Sequence, residues 1–66
     1  MSYKCYCEVT GASQSDLNQW LAHNARGRHA TAERKDAGYI AVYLSDDDDR
    51  LALRDAFDVC KVVFVD

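Results

Sequence analysis

The cysteines and histidines are the residues of this chain that could bind a metal ion or act as nucleophiles. Cys5 and Cys7 are two positions apart, so a strand would place both side chains on one face. A later strand could bring Cys60 beside them. Three thiolates and one histidine suffice for a structural zinc site. Zinc ligands usually come as close pairs on turns, however, whereas these positions suit small buried apolar side chains. We therefore predict reduced core cysteines, no metal and no cofactor.

Catalytic chemistry is not indicated by any spacing in the sequence. His23 and His29 have no cysteine, serine or acid at a spacing that marks a nucleophile or a metal site. The sequence also has no glycine-rich phosphate loop, no nucleophile elbow and no zinc-protease helix motif. We predict that the protein is not an enzyme.

Four consecutive aspartates, residues 46–49, are the most conspicuous polar feature. Consecutive helical residues point about 100° apart, so these side chains fan round a helix and do not converge on a cation. Ser45 and Asp48 have the spacing of a capping box, and carboxylates in a first turn complement the helix dipole. The run therefore predicts the start of a helix.

Helical spacing also predicts which acids are neutralised. Asp46 is expected to pair with Arg50, and Asp58 with Arg54, four residues away in each case. The other acids are left uncompensated and give one end of the molecule an anionic surface that suits a basic partner. The acids predicted to bind that partner are Asp46, Asp47, Asp48, Asp49, Asp55 and Asp58.

The first half of the chain predicts a strand followed by a helix. Residues 3–9 are β-formers in alternation, with Tyr3, Cys5, Cys7 and Val9 on one face. Ser13 and Asp16 have the pattern of a capping box, and Leu17, Trp20 and Leu21 follow at helical spacing. We expect this helix to end near Gly27 in a left-handed conformation.

The second half predicts a hairpin, a helix and a last strand. Residues 39–44 are an apolar strand, preceded by a hairpin loop over residues 35–38. Residues 28–35 are polar, which suits a weak edge strand, with a long loop as the alternative. A helix begins at Ser45 and gives way to a strand over residues 60–65.

This order of elements predicts an α+β fold, the ferredoxin-like split βαβ (β-α-β-β-α-β), with two helices on one face of an antiparallel sheet. The helices are expected to cover Cys5, Cys7, Val9, Ile40, Val42, Leu44, Val62 and Phe64. The opposite face stays open and displays Tyr6, Tyr39, Tyr43, Val63 and Val65.

The open face resembles that of RNA-recognition motifs, which stack bases on aromatic side chains of the two central strands. Gly38, Tyr39 and Val42 agree with the third-strand signature of that family, whereas Ala41 stands where a second stacking aromatic is expected. The resemblance implies single-stranded nucleic-acid binding. The alternatives are an interface with a partner or a second copy, and simple exposure.

Composition predicts one small globular domain. The chain has 66 residues, of which 48 % are hydrophobic, and a net charge of -3. No apolar run approaches the roughly 20 residues of a membrane span, so we expect a cytoplasmic protein without a membrane partner. Charge is uneven, because residues 26–45 hold four cations and two anions, whereas residues 46–66 hold three cations and seven anions.

In size and charge the chain resembles the small inhibitors that phages and other mobile elements encode, including anti-CRISPR proteins, some of which mimic the charge of DNA. This resemblance implies action in a host-cell cytoplasm on a larger protein or ribonucleoprotein complex with a basic surface. Direct binding of nucleic acid is the alternative, and either function is compatible with a homodimer.

Overall fold

The computed structural model describes residues 3–65, which form four strands and two helices. In chain order the elements are β1 (Cys5–Thr10), α1 (Gln14–Asn24), β2 (His29–Arg34), β3 (Tyr39–Leu44), α2 (Asp47–Ala56) and β4 (Asp58–Phe64). The strands form an antiparallel sheet in the order β2-β3-β1-β4, so β2 and β4 are its edges. The predicted ferredoxin-like arrangement is confirmed. Over residues 3–65, neither helix has the length and apolar character needed to cross a membrane.

The polar segment before β3 is a strand, as predicted. β2 pairs with β3 from His29 opposite Leu44 to Arg34 opposite Tyr39. Gly38 closes the hairpin with a φ of 75°, and its N–H donates to the carbonyl of Arg34 at 2.9 Å. Glycine adopts this left-handed conformation without steric cost. The sheet therefore has a helix-covered face and an open face.

The core lies between the two helices and the covered face of the sheet. Alternate residues of β1 are buried, which confirms the period-2 pattern and places Cys5 and Cys7 in the core. The buried cluster comprises Cys5, Cys7, Val9, Leu17, Leu21, Ile40, Val42, Leu44 and Leu53. Full burial of one such aliphatic side chain contributes about 1.5–3 kcal/mol.

Both helices begin at a capped residue. The Ser13 hydroxyl accepts from the N–H of Asp16 at 3.1 Å, as the capping-box pattern predicts. The cap of α2 is Asp46, whose carboxylate accepts from the N–H of Asp48 at 2.8 Å. The prediction that Ser45 caps this helix is wrong by one residue, because a neighbouring acid provides the same oxygen acceptor.

The end of α1 differs from the prediction. Ala25 is the C-cap, in an extended conformation, and its N–H donates to the carbonyl of Leu21 at 2.9 Å. Gly27 does not have a left-handed φ. A Cβ atom at Gly27 would lie 2.6 Å from the hydroxyl oxygen of Ser45 and 3.0 Å from the Cβ of Asp46. Glycine is therefore needed here because the start of α2 passes close to this loop.

β4 begins earlier than predicted and carries a bulge. It starts at Asp58, and its register against β1 shifts so that Cys60 is the extra residue. The bulge lets both Val59 and Val62 pack against the core, whereas Cys60 is exposed. The prediction that Cys60 is a core cysteine beside Cys5 is wrong for this reason.

Two aromatic residues lie outside their predicted positions. Phe64 lies opposite Cys5 and so belongs to the covered face, yet it is 63 % exposed because it ends an edge strand. The prediction that the helices cover Phe64 is wrong. Tyr3 precedes β1, and its ring lies 5.8 Å from that of Tyr43 on the open face, away from the side of Cys5.

Candidate interaction surfaces

One of the predicted surface acids, Asp49, belongs to the interior. It is 2 % exposed. Its carboxylate accepts from the backbone N–H of Arg26 at 2.9 and 3.0 Å and from that of Gly27 at 2.9 Å. The expectation that Asp49 lies on the anionic surface is wrong, because the first turn of α2 faces the loop between α1 and β2.

Ser45 adds a second attachment to the same loop. Its hydroxyl oxygen accepts from the N–H of Arg28 at 2.7 Å. Ser45 and Asp49 together satisfy three consecutive backbone donors that no helix or sheet ladder uses. The partners are 17 to 23 residues apart in the chain, so no local spacing in the sequence reveals these contacts.

Ion pairing on α2 also differs from the prediction. The Arg50 Nε atom lies 2.7 Å from an Asp47 carboxylate oxygen, three residues away. The hydrogen bond from Arg50 lowers the pKa of Asp47. Over residues 3–65 this is the only ion pair, so the predicted pairs Asp46–Arg50 and Arg54–Asp58 do not form there.

The remaining predicted acids are spread over α2 and the start of β4. Asp48 and Asp55 are both exposed and seven residues apart, so they lie on the same side of the helix. Leu51 lies between them and is 46 % exposed. Asp46 is half-buried as the helix cap. Asp58 is exposed on β4 and accepts from the Thr10 hydroxyl at 3.1 Å.

The end of β4 exposes an apolar segment beside this acidic helix. Val63 is 40 % exposed, Phe64 63 % and Val65 51 %. The Arg50 guanidinium lies 4.9 Å from the centre of the Phe64 ring, so α2 and the end of β4 are in contact. The sequence predicted that Val63 and Val65 are exposed, but it also predicted that the helices cover Phe64. Alternation along a strand shows on which face of the sheet a residue lies, but it cannot show how far the helices extend over that face.

The open face carries a cluster of tyrosines that pack on one another. The ring centres of Tyr6 and Tyr43 are 5.2 Å apart. The Tyr6 hydroxyl lies 2.9 Å from a Glu8 carboxylate oxygen and 3.5 Å from the hydroxyl of Tyr39. Burial, followed by these hydrogen bonds, raises the pKa of Tyr6. All three tyrosines are half-buried, so each presents part of its ring to solvent.

Ala41 lies under this tyrosine cluster. It is on the open face between Tyr39 and Tyr43, yet it is only 1 % exposed. Lys61 lies opposite Glu8 in the sheet, and Arg34 lies opposite Tyr39. The open face is thus an aromatic surface with one acid inside it and cations at its margins.

Of the candidate metal and nucleophilic residues, Cys5 and Cys7 are neighbours in the core, whereas Cys60 is exposed. Burial, followed by the neighbouring Cys5 thiol, raises the pKa of Cys7 from 9.0 to about 12. The Cys60 thiol is exposed and lies 3.3 Å from the carbonyl oxygen of Glu8. The His23 Nδ1 atom lies 2.8 Å from the carbonyl oxygen of Gln19 on the same helix. Across residues 3–65, no three His, Cys, Asp or Glu side chains are grouped so as to hold a metal ion.

Comparison with known protein families, with curated proteins and with solved structures finds no match for this chain.

Proposed function

We propose that this protein is a non-enzymatic inhibitor of the phage or mobile-element type, similar in action to anti-CRISPR proteins. It acts in the host cytoplasm by occupying a basic surface on a larger nucleic-acid-handling protein or ribonucleoprotein complex. The contact surface is the outer face of α2 together with the exposed end of β4.

The observation that carries this proposal is the adjacency of exposed apolar and acidic side chains. Arg50 contacts both Asp47 and the ring of Phe64, so the first turn of α2 and the end of β4 form one surface. Protein interfaces combine aromatic or aliphatic anchors with a polar rim. Phe64 and Leu51 provide the anchors here, and Asp48 and Asp55 provide the rim.

The acids contribute selectivity and rate of encounter more than binding energy. An α-helix rises 1.5 Å per residue, so Asp48 and Asp55 are separated by about 10 Å along α2. At that spacing the two carboxylates contact basic side chains of a partner one by one. Complementary charge of this kind speeds association and rejects acidic partners.

The test is affinity capture from a host lysate with a pair of charge-reversal variants. We expect the double variant Asp48→Lys, Asp55→Lys to lose the captured partner while it keeps the wild-type circular dichroism and melting temperature. Asp36→Lys, in the exposed β2–β3 turn, is the matched control and should capture normally. Asp49 must stay unchanged, because its loss would unfold the loop it anchors.

Two observations decide the test: the identity of the captured partner, and whether its capture survives nuclease treatment. A basic protein or ribonucleoprotein that survives nuclease and depends on Asp48 and Asp55 supports the proposal. Equal capture by the double variant and the wild type would refute it.

A second candidate function is single-stranded nucleic-acid binding on the open face. The observation that favours it is the adjacency of Tyr6, Tyr39 and Tyr43, with Arg34 at the margin, because nucleobases stack on exposed aromatic rings. A gel-shift with mixed single-stranded oligonucleotides at low salt tests it, with Tyr43→Ala as the variant. Glu8 opposes this function, since its charge lies where phosphates would approach.

A further inference from the structure

We propose that the open face of the sheet packs against the same face of a second copy of this chain. The two copies are related by a two-fold axis that runs along the strands, midway between the central strands β1 and β3. Most homo-oligomers are two-fold dimers in which one surface meets itself. The inference goes beyond the proposed function, because α2 covers the other face of the sheet and its outer side stays free in the pair.

The contacts of β2 with α1 show which side chains belong to the open face. The Thr31 hydroxyl donates to Asn18 of α1 at 2.7 Å and accepts from Gln14 at 3.2 Å, so Thr31 points to the covered face. Successive side chains of a strand point to opposite faces. Ala30 and Ala32 therefore point to the open face, and residues directly opposite them in the sheet do the same.

The strand registers arrange the open face in three rows that run across the sheet. The β1–β3 register, continued beyond its last pair, brings Thr10 level with Tyr39. In the order β4, β1, β3 and β2, row 1 is Val63, Tyr6, Tyr43 and Ala30, row 2 is Lys61, Glu8, Ala41 and Ala32, and row 3 is Asp58, Thr10, Tyr39 and Arg34. Row 1 carries no charge, whereas rows 2 and 3 each carry one acid and one cation. The three rows are thus neutral in an acidic chain, which suits a surface that meets itself.

Charge on the rows selects the axis. Two sheets that pack face to face, with no strand passing from one to the other, keep their strand directions within about 30°. The two-fold axis then runs either along or across the strands. An axis across the strands that overlaps all three rows would place row 2 on itself, with Glu8 facing Glu8 and Lys61 facing Lys61. Like charges at an interface repel, and the axis along the strands avoids both of these contacts.

Row 3 is complementary to itself about the axis along the strands. That axis places β4 of one copy over β2 of the other, and β1 over β3. Arg34 of each copy then faces Asp58 of the other, which makes two ion pairs in the dimer. Both side chains are exposed, and neither forms an ion pair within the monomer among the residues that the structure describes. The pairing partner for each is therefore available in the second copy.

Row 2 matches long side chains with short ones. Lys61 lies over Ala32 of the second copy, and Glu8 lies over Ala41. The Glu8 carboxylate keeps partners when water leaves, because it accepts from the Tyr6 hydroxyl at 2.9 Å and lies opposite Lys61 in its own sheet. A charge at an interface is tolerated when it has such partners.

Row 1 provides the apolar contact. Val63 is 40 % exposed, and the half-buried rings of Tyr6 and Tyr43 lie 5.2 Å apart. In the dimer Val63 lies over Ala30 of the second copy, and Tyr6 lies over Tyr43. Tyrosine is enriched at protein interfaces, because its ring is apolar and its hydroxyl can stay in contact with water.

The size of the face indicates a weak dimer. Neighbouring strands lie about 4.8 Å apart and residues rise about 3.3 Å, so the four-stranded sheet has a face of roughly 20 by 20 Å. The two copies together bury about 800 Å² in projection, which is at the lower limit of specific protein interfaces. We expect the dimer to form at high protein concentration and to dissociate on dilution.

Sedimentation equilibrium of the full chain tests the dimer. We expect the wild type to pass from monomer to dimer between roughly 10 µM and 1 mM protein. Arg34→Asp should weaken association at least about tenfold, because two pairs of acids then face each other, and Asp58→Arg should do so through two pairs of cations. Lys35→Asp makes the same change of charge in the adjacent exposed turn and should associate as the wild type does.

An equimolar mixture of Arg34→Asp and Asp58→Arg tests the axis. In a mixed dimer both facing pairs again join an acid to a cation, so the mixture should regain the association of the wild type. The two positions lie on opposite edge strands, about 14 Å apart, so this rescue cannot occur within one molecule. Both positions are exposed, so each single variant should keep the wild-type circular dichroism and melting temperature.

Several results would overturn the inference. These are a wild type that stays monomeric at the highest concentration, association that Arg34→Asp weakens no more than Lys35→Asp does, or a mixture that associates no better than each variant alone. A monomer that binds single-stranded oligonucleotides through Tyr6 and Tyr43 would also overturn it and would assign the open face to nucleic acid.

Discussion

At the scale of single residues, four adjacent aspartates of identical chemistry have different structural roles. Asp46 caps α2, Asp47 pairs with Arg50, Asp48 faces solvent and Asp49 is buried against backbone N–H groups. Successive side chains of a helix point about 100° apart, so four consecutive acids point in different directions around the helix axis. One of them therefore faces the rest of the molecule. The sequence predicts the helix start but cannot show which acid meets the α1–β2 loop.

Asp49→Ala should lower the free energy of unfolding by about 2 kcal/mol or more, because it leaves the N–H groups of Arg26 and Gly27 without an acceptor. Urea denaturation followed by circular dichroism measures the change. Asp48→Ala, one residue earlier and exposed, should stay within about 0.5 kcal/mol of the wild type. Equal stability of the two variants would contradict the role assigned to Asp49.

Three protons on β1 should make the fold sensitive to alkali. Burial raises the pKa of Cys7 from 9.0 to about 12 and also raises the pKa of Cys5, and burial with hydrogen bonds raises the pKa of Tyr6 above its ordinary 10.0. The native state therefore keeps protons that the unfolded chain releases. This contribution to stability is complete below about pH 9 and declines as the pH rises toward about 12.

Urea denaturation at a series of pH values from about 8 to about 11 measures this decline. Tyr6→Phe removes one of the three titrating groups, so the stability of this variant should fall less steeply above about pH 10 than that of the wild type. Stability that stays constant across the series would show that none of these protons is held more tightly in the folded chain.

At the scale of secondary structure, local patterns predicted every strand and helix, and long-range contacts decided how they end. Alternation in β1 and helical spacing around Leu17 and Leu21 depend on neighbours in sequence, so they are visible in the chain. The end of α1 depends on the approach of Ser45 to Gly27, and the start of β4 depends on a bulge against β1. Neither contact has a local signature.

Gly27→Ala tests the contact between these elements. The added methyl group would meet the Ser45 hydroxyl oxygen at 2.6 Å, so the loop must move and Asp49 loses its aligned donors. We expect a loss of about 1–3 kcal/mol in the free energy of unfolding. Adding Ser45→Ala should recover part of that loss, and a variant as stable as the wild type would mean that the loop is loosely held.

At the scale of the whole molecule, the negative charge is concentrated in the last third of the chain. Residues 46–66 hold seven anions and three cations, whereas Glu33 and Asp36 offset Arg34 and Lys35 at the far end of β2. The molecule measures 27 × 24 × 20 Å, whereas the Debye length at physiological salt is about 8 Å. A partner near one edge is therefore screened from the charges of the other.

Association with a basic partner should consequently depend strongly on salt. We expect the association rate constant to fall at least about tenfold between roughly 0.05 and 0.5 M sodium chloride, with a much smaller change in the dissociation rate constant. Surface plasmon resonance with the captured partner measures both. An association rate that does not respond to salt would rule out steering by Asp48 and Asp55.

The contacts of Gln14 and Asn18 with Thr31 also guard the middle of the β2 edge against pairing with another molecule. The Gln14 amide donates to the Thr31 carbonyl, so an incoming strand would have to displace this side chain before it could bond there. Protection of an edge in this way is one means by which a sheet resists growth into fibres.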